Sequence, residues 1–78
     1  MKFIIRGKEF DLTKQQILMV LEKEEPKKIT KYYIEIGEKQ YPIKQVIELA
    51  TGLHLVDFTS MDANHVLLKL GFVVQSIS

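Results

Sequence analysis

Five lysines, Lys27, Lys28, Lys31, Lys39 and Lys44, fall between residues 27 and 45 against two acids, Glu35 and Glu38. Tyr32, Tyr33 and Tyr41 are interleaved with them. Cations among aromatic rings suit an anionic polymer: ammonium groups neutralise phosphates, and exposed rings stack on bases. The plainer reading is a solvated charged face, with tyrosines packed in strands that favour them anyway. Lys44 poses the question most sharply, because it follows Pro42 into the first turn of a helical pattern, and Lys39 lies beside that start. A helix start carries partial positive charge and unpaired N–H groups, so it attracts anions, and a cation there loses roughly a few tenths of a kcal/mol. Two compensations fit. One is a nearby carboxylate such as Glu38 or Glu48; the other is an external phosphate backbone. Both stay open from sequence. The candidate nucleic-acid contacts are Lys31, Lys39, Lys44 and Tyr41.

Other chemistry finds few carriers. With no cysteine in the chain, a thiolate metal site, a cysteine nucleophile and a disulfide scaffold are excluded. His54 and His65 stand at no metal-ligand spacing with carboxylates, so the expectation is no metal and no cofactor. Asp62 reads as a complement to a helix start, and Ser60 as a cap with no base at a recognisable spacing. No glycine-rich phosphate loop occurs. The sequence predicts a protein that is not an enzyme.

The elements that would position the lysines follow from periodicity. Residues 2 to 6 read as a strand, Gly7 marks a turn, and Phe10 returns toward the core. Thr13 and Gln16 form a capping box, with Leu12 and Ile17 as its hydrophobic staple. Ile17, Leu18 and Leu21 follow as an apolar stripe, and Pro26 stops the helix. Glu22, Glu24 and Glu25 close it against the dipole. Tyr32, Ile34 and Ile36 alternate with Tyr33 and Glu35, Gly37 and Glu38 turn the chain, and a short return strand ends at Pro42. Ile43, Val46, Ile47 and Ala50 mark the second helix, closed by Gly52. Thr59 or Ser60 caps the third, whose stripe is Ala63, Val66, Leu67 and Leu70. Gly71 ends it, and Phe72 folds back on Leu67. A last strand spans 72 to 77. The order is β-α-β-β-α-α-β, an α+β fold with three helices against a small, mainly antiparallel sheet.

At 78 residues the chain predicts a single domain, 1–78, with a marginal core. Eleven basic and ten acidic side chains nearly cancel, so local charge rather than net charge must carry any attraction to nucleic acid. No signal-peptide pattern and no membrane-length apolar run occurs, which predicts a cytoplasmic protein without membrane contact.

The stretch "KYYIEIGEKQYPIKQVIELATG", followed by "DFTS", Ala63 and "LLKLGF", resembles the N-terminal head domain of McrA-like, modification-dependent HNH endonucleases over residues 31–75. Tyr41, Pro42, Lys44, Asp57 and Phe58 match that pattern. Ile43 stands where the family has a second proline, Thr59-Ser60 replaces a frequent glycine pair, and the HNH motif is absent. The resemblance implies a stand-alone accessory module, nuclease-associated, that contacts DNA or organises domains while other domains read and cut. The expected function is therefore non-enzymatic contact with nucleic-acid phosphate, non-specific and salt-dependent, through a basic hairpin and helix start. The alternative is a protein-interaction or homodimerisation module, using a strand edge or the apolar residues Met19, Val20 and Leu68 that lie off the core stripes.

Overall fold

The computed structural model describes residues 1–77. Its elements are β1 (Lys2–Ile5), β2 (Lys8–Asp11), α1 (Lys14–Leu21), β3 (Tyr32–Ile36), β4 (Lys39–Pro42), α2 (Ile43–Thr51), a 3-10 turn (Leu55–Asp57), α3 (Ser60–Lys69) and β5 (Gln75–Ser76). The fold is α+β with three helices, in the order read from the sequence with one strand added. β1 and β2 form an antiparallel hairpin of their own, and β4-β3-β5 forms a second antiparallel sheet.

The added strand is β2. Arg6 and Gly7 both take positive φ, 55° and 77°, the signature of the two-residue turn whose twist suits a hairpin. The register sets Phe3 opposite Phe10 and Ile5 opposite Lys8. Phe3 and Ile5 are buried while Ile4 between them is 74% exposed, the alternation of a half-buried strand. The β3–β4 turn uses Gly37 at φ 62°, glycine in the first central position as such a tight turn requires.

Both capping boxes close. Thr13 N–H donates to Gln16 Oε1 at 2.9 Å, and Gln16 N–H to Thr13 Oγ1 at 3.1 Å. At α3 the cap is Thr59, whose N–H donates to Asp62 Oδ2 at 2.9 Å and whose Oγ1 accepts from Asp62 N–H at 3.2 Å. Leu12 with Ile17, and Phe58 with Ala63, are buried in the core at the staple positions. α3 ends as the sequence predicts: Phe72 N–H reaches Leu67 O at 3.0 Å and Gly71 N–H reaches Leu68 O at 3.1 Å, the double bond of a Schellman ending.

Two elements are shorter than their sequence pattern. α1 stops at Leu21, one turn before Pro26, because the Tyr41 hydroxyl takes the Leu21 carbonyl at 3.0 Å and the acids beyond oppose continuation. The last strand keeps only Gln75–Ser76, paired to Tyr33 and Tyr32, because Phe72 turns into the core instead.

One core holds these pieces. Ile17 and Leu21 of α1, Ile34 of β3, Ile43, Val46 and Ile47 of α2, and Ala63, Val66 and Leu67 of α3 are all buried within it. The stretch between α1 and β3 has no regular structure, yet it is pinned. Tyr41 Oη lies 3.0 Å from both Leu21 O and Glu24 O. Gln45 accepts from Lys27 N–H at 2.8 Å and donates to Glu25 O at 2.8 Å. Among the described residues Gln45 is the one buried polar side chain, and both ends of its amide are satisfied, as a buried amide needs.

Candidate nucleic-acid interface

The four candidate residues divide three ways. Lys31 and Lys44 come together. Both line a small cleft of about 70 Å³ with Thr30, Tyr32, Pro42, Ile43 and Ser60. Lys31 precedes β3, Pro42 and Ile43 mark the start of α2, and Ser60 is the first residue of α3. The antiparallel return of β4 along β3 places Pro42 opposite Tyr33, which carries the α2 start back beside Lys31. Among the described residues no acid lines the cleft. It is far smaller than the roughly 300–1,000 Å³ of a typical small-molecule pocket, so it offers a point of contact rather than an enclosed site.

Both ammonium groups are seated on rings. Lys31 Nζ lies 5.2 Å from the centroid of Tyr32, and Lys44 Nζ lies 5.3 Å from that of Phe58. Such contacts contribute about 0.5–1 kcal/mol at exposed sites and leave the positive charge intact. Neither lysine is in an ion pair among the described residues. The α2 start adds to the same field: Pro42 caps it without a side-chain hydrogen bond, and no acid lies in its first turn. The dipole's positive end is therefore unopposed there.

Lys39 lies elsewhere. It sits beside the hairpin turn, and its Nζ pairs with Glu25 Oε1 at 3.3 Å, with side chains 44% and 85% exposed. Such an exposed pair stabilises by about 0–1 kcal/mol. Lys27 is similarly paired with Glu48 at 3.5 Å. The basic segment is thus not one patch: carboxylates take Lys27 and Lys39, Lys28 is exposed outside the cleft, and Lys31 and Lys44 line it.

Tyr41 is a correction. It is 2% exposed, and its hydroxyl serves the Leu21 and Glu24 carbonyls, so it offers no surface to a nucleic acid. The readable signal was its register. A two-residue turn at Gly37-Glu38 sets Tyr41 opposite Ile34, and opposed residues share a face. Of the other two tyrosines, Tyr32 is half-buried against the core, and Tyr33 directs its hydroxyl to Gln75 Oε1 at 3.3 Å. The sequence marks Ser60 only as a cap candidate and does not mark Thr30; only the folded chain brings these two residues to the lysines.

The histidines are apart from this site. His65 on α3 meets Phe3 edge-on, with ring centroids 6.4 Å apart, and His54 precedes the 3-10 turn. Among the described residues no three His, Asp or Glu side chains gather to hold a metal ion, and no helix is long and apolar enough to cross a membrane.

Fold and site together define a small α+β domain with an uncapped helix start flanked by two lysines that are in no ion pair among the described residues. The chain belongs to the SCO5918-like family, whose model matches residues 1–78. No curated protein and no solved structure matches it.

Proposed function

We propose that this protein is a non-enzymatic accessory module that contacts the phosphate backbone of nucleic acid through the Lys31–Lys44 cleft. One observation carries the reading: the two basic-segment lysines that flank the α2 start share a cleft with no acid in its lining and have no carboxylate partner among the described residues. A phosphate there would meet two ammonium groups and the positive end of a helix, with the Thr30 and Ser60 side chains beside it. Contacts of this kind fix position without reading sequence. Binding is therefore non-specific, and it weakens as salt rises, by a log–log slope of about −0.9 for each phosphate neutralised. The resemblance of residues 31–75 to endonuclease head domains supports a nuclease-associated setting, with Lys44 the matched residue that touches DNA.

The test is a titration of labelled duplex DNA at low and physiological salt, with Lys31→Glu/Lys44→Glu and Lys39→Glu alongside. Wild type is expected to bind at low salt, the double variant to lose binding, and Lys39→Glu to keep most of it, since Lys39 is already paired. No binding by the wild type at low salt, or equal damage from both variants, would defeat the proposal.

A further inference from the structure

At the turn end of the β3–β4 hairpin, away from the phosphate cleft, acids outnumber cations. A groove of about 430 Å³ runs between α1 and the hairpin; Leu18, Met19, Ile36 and Tyr41 give it an apolar lining, and Glu22 and Glu38 stand on its rim. Met19 is 62% exposed, and it also borders a second apolar hollow of about 310 Å³ with Leu12, Val20 and Ala50. A ridge with a hollow on each side is the relief that another helix fits.

The rim defines the partner's charge. Lys39 is also on it, but its ammonium is taken by Glu25. Glu22 and Glu38 are in no ion pair among the described residues. Glu22 follows the last turn of α1, which contains no basic residue, so the carboxylate stands at the negative end of the helix dipole. Both terms repel anions and favour a cation at the same place. Within the chain that arrangement is unfavourable; a partner's lysine or arginine would relieve it.

We infer that this groove docks a cationic amphipathic helix of a partner protein, with apolar residues over Leu18, Met19 and Ile36 and a basic residue between Glu22 and Glu38. The surface is separate from the phosphate cleft. With the phosphate contact proposed above at one end of the hairpin and a basic protein segment at the other, the chain would be an adaptor between the two.

The probe is a synthetic helical peptide with leucines at i, i+3, i+4 and i+7 and lysines elsewhere, set against its leucine–glutamate counterpart. Binding is read by fluorescence anisotropy and by amide shifts on the intact protein. The lysine peptide is expected to bind and to shift Leu18, Met19 and Ile36. Glu22→Lys/Glu38→Lys is expected to lose about tenfold or more in affinity for it and to gain affinity for the glutamate peptide. Met19→Ser is expected to weaken binding without reversing the preference, and Lys31→Glu/Lys44→Glu to leave it unchanged. All these side chains are at the surface, so the variants keep the fold, as circular dichroism will verify. Equal binding of the lysine peptide by wild type and Glu22→Lys/Glu38→Lys overturns the inference, as does binding of neither peptide or shifts confined to other faces. Self-association lost in Met19→Ser would assign the face to a second copy and overturn it too.

Discussion

The three helix starts of this protein make a comparison among themselves. α1 and α3 begin with threonine, and the residue three positions later reaches back to the threonine N–H: Gln16 to Thr13, Asp62 to Thr59. α2 begins with Pro42, and the residue three positions later is again a glutamine, Gln45. Proline has no N–H to offer, so the same side chain in the same helical position turns outward from its own helix. It bonds Lys27 N–H and Glu25 O instead. Two starts are closed on themselves. The third ties down a neighbouring segment and leaves its own dipole uncapped beside Lys31 and Lys44. One residue type, proline for threonine, therefore separates a helix start that is purely structural from one available to an anion.

The largest effect is expected where the third start departs most from the others. Gln45→Ala leaves the part-buried Lys27 N–H and Glu25 C=O without their partner, which costs about 2 kcal/mol at the low end of ~1–3 kcal/mol for each group. Urea unfolding measures it, and a loss no larger than a cap deletion would erase the distinction between Gln45 and Gln16. Next come the two closed starts. Thr13→Ala and Thr59→Ala should each destabilise by about 1 kcal/mol in the same assay; a neutral Thr59→Ala would mean that the Phe58–Ala63 staple alone holds α3. The smallest stability change belongs to Pro42→Asp. The carboxylate gains a cap worth ~1 kcal/mol, and the loss of proline's restraint on the unfolded chain offsets about 0.4–1 kcal/mol of it. Net stability stays within about 0.5 kcal/mol, while DNA affinity falls because an acid now opposes the phosphate. Unchanged affinity would separate the α2 start from the binding reaction and leave Lys31 and Lys44 acting as charges alone.

Local rules were legible in the sequence wherever the partners lie within one turn. The Thr13–Gln16 box, the Gly52 ending at φ 79° with its N–H on Glu48 O, and the Phe72 fold-back need only neighbours a few residues away. The β1–β2 hairpin was not legible, because its turn places an arginine, not the usual asparagine or glycine, at positive φ. The candidate site was half legible. Charge spacing found Lys31 and Lys44, but their separation from Lys39 depends on Glu25, fourteen residues away, and on the end of the hairpin at which each cation falls. Gln45 escaped because nothing in a helical stripe marks a glutamine as buried. The missing N–H of Pro42 was the available clue.

The grip of Tyr41 and Gln45 on the stretch between α1 and β3 also bears on motion. A stretch without helix or strand normally opens freely to solvent and exchanges its amide hydrogens fast. Here one amide in the middle, Lys27, donates to a side chain rooted in a buried helix turn. Its exchange should be slowed to the rate at which α2 itself comes apart, an isolated slow position between fast neighbours. The segment thus behaves as a strap fastened at Glu24, Glu25 and Lys27, and its release at Lys27 is tied to the opening of the helix whose first turn borders the phosphate cleft.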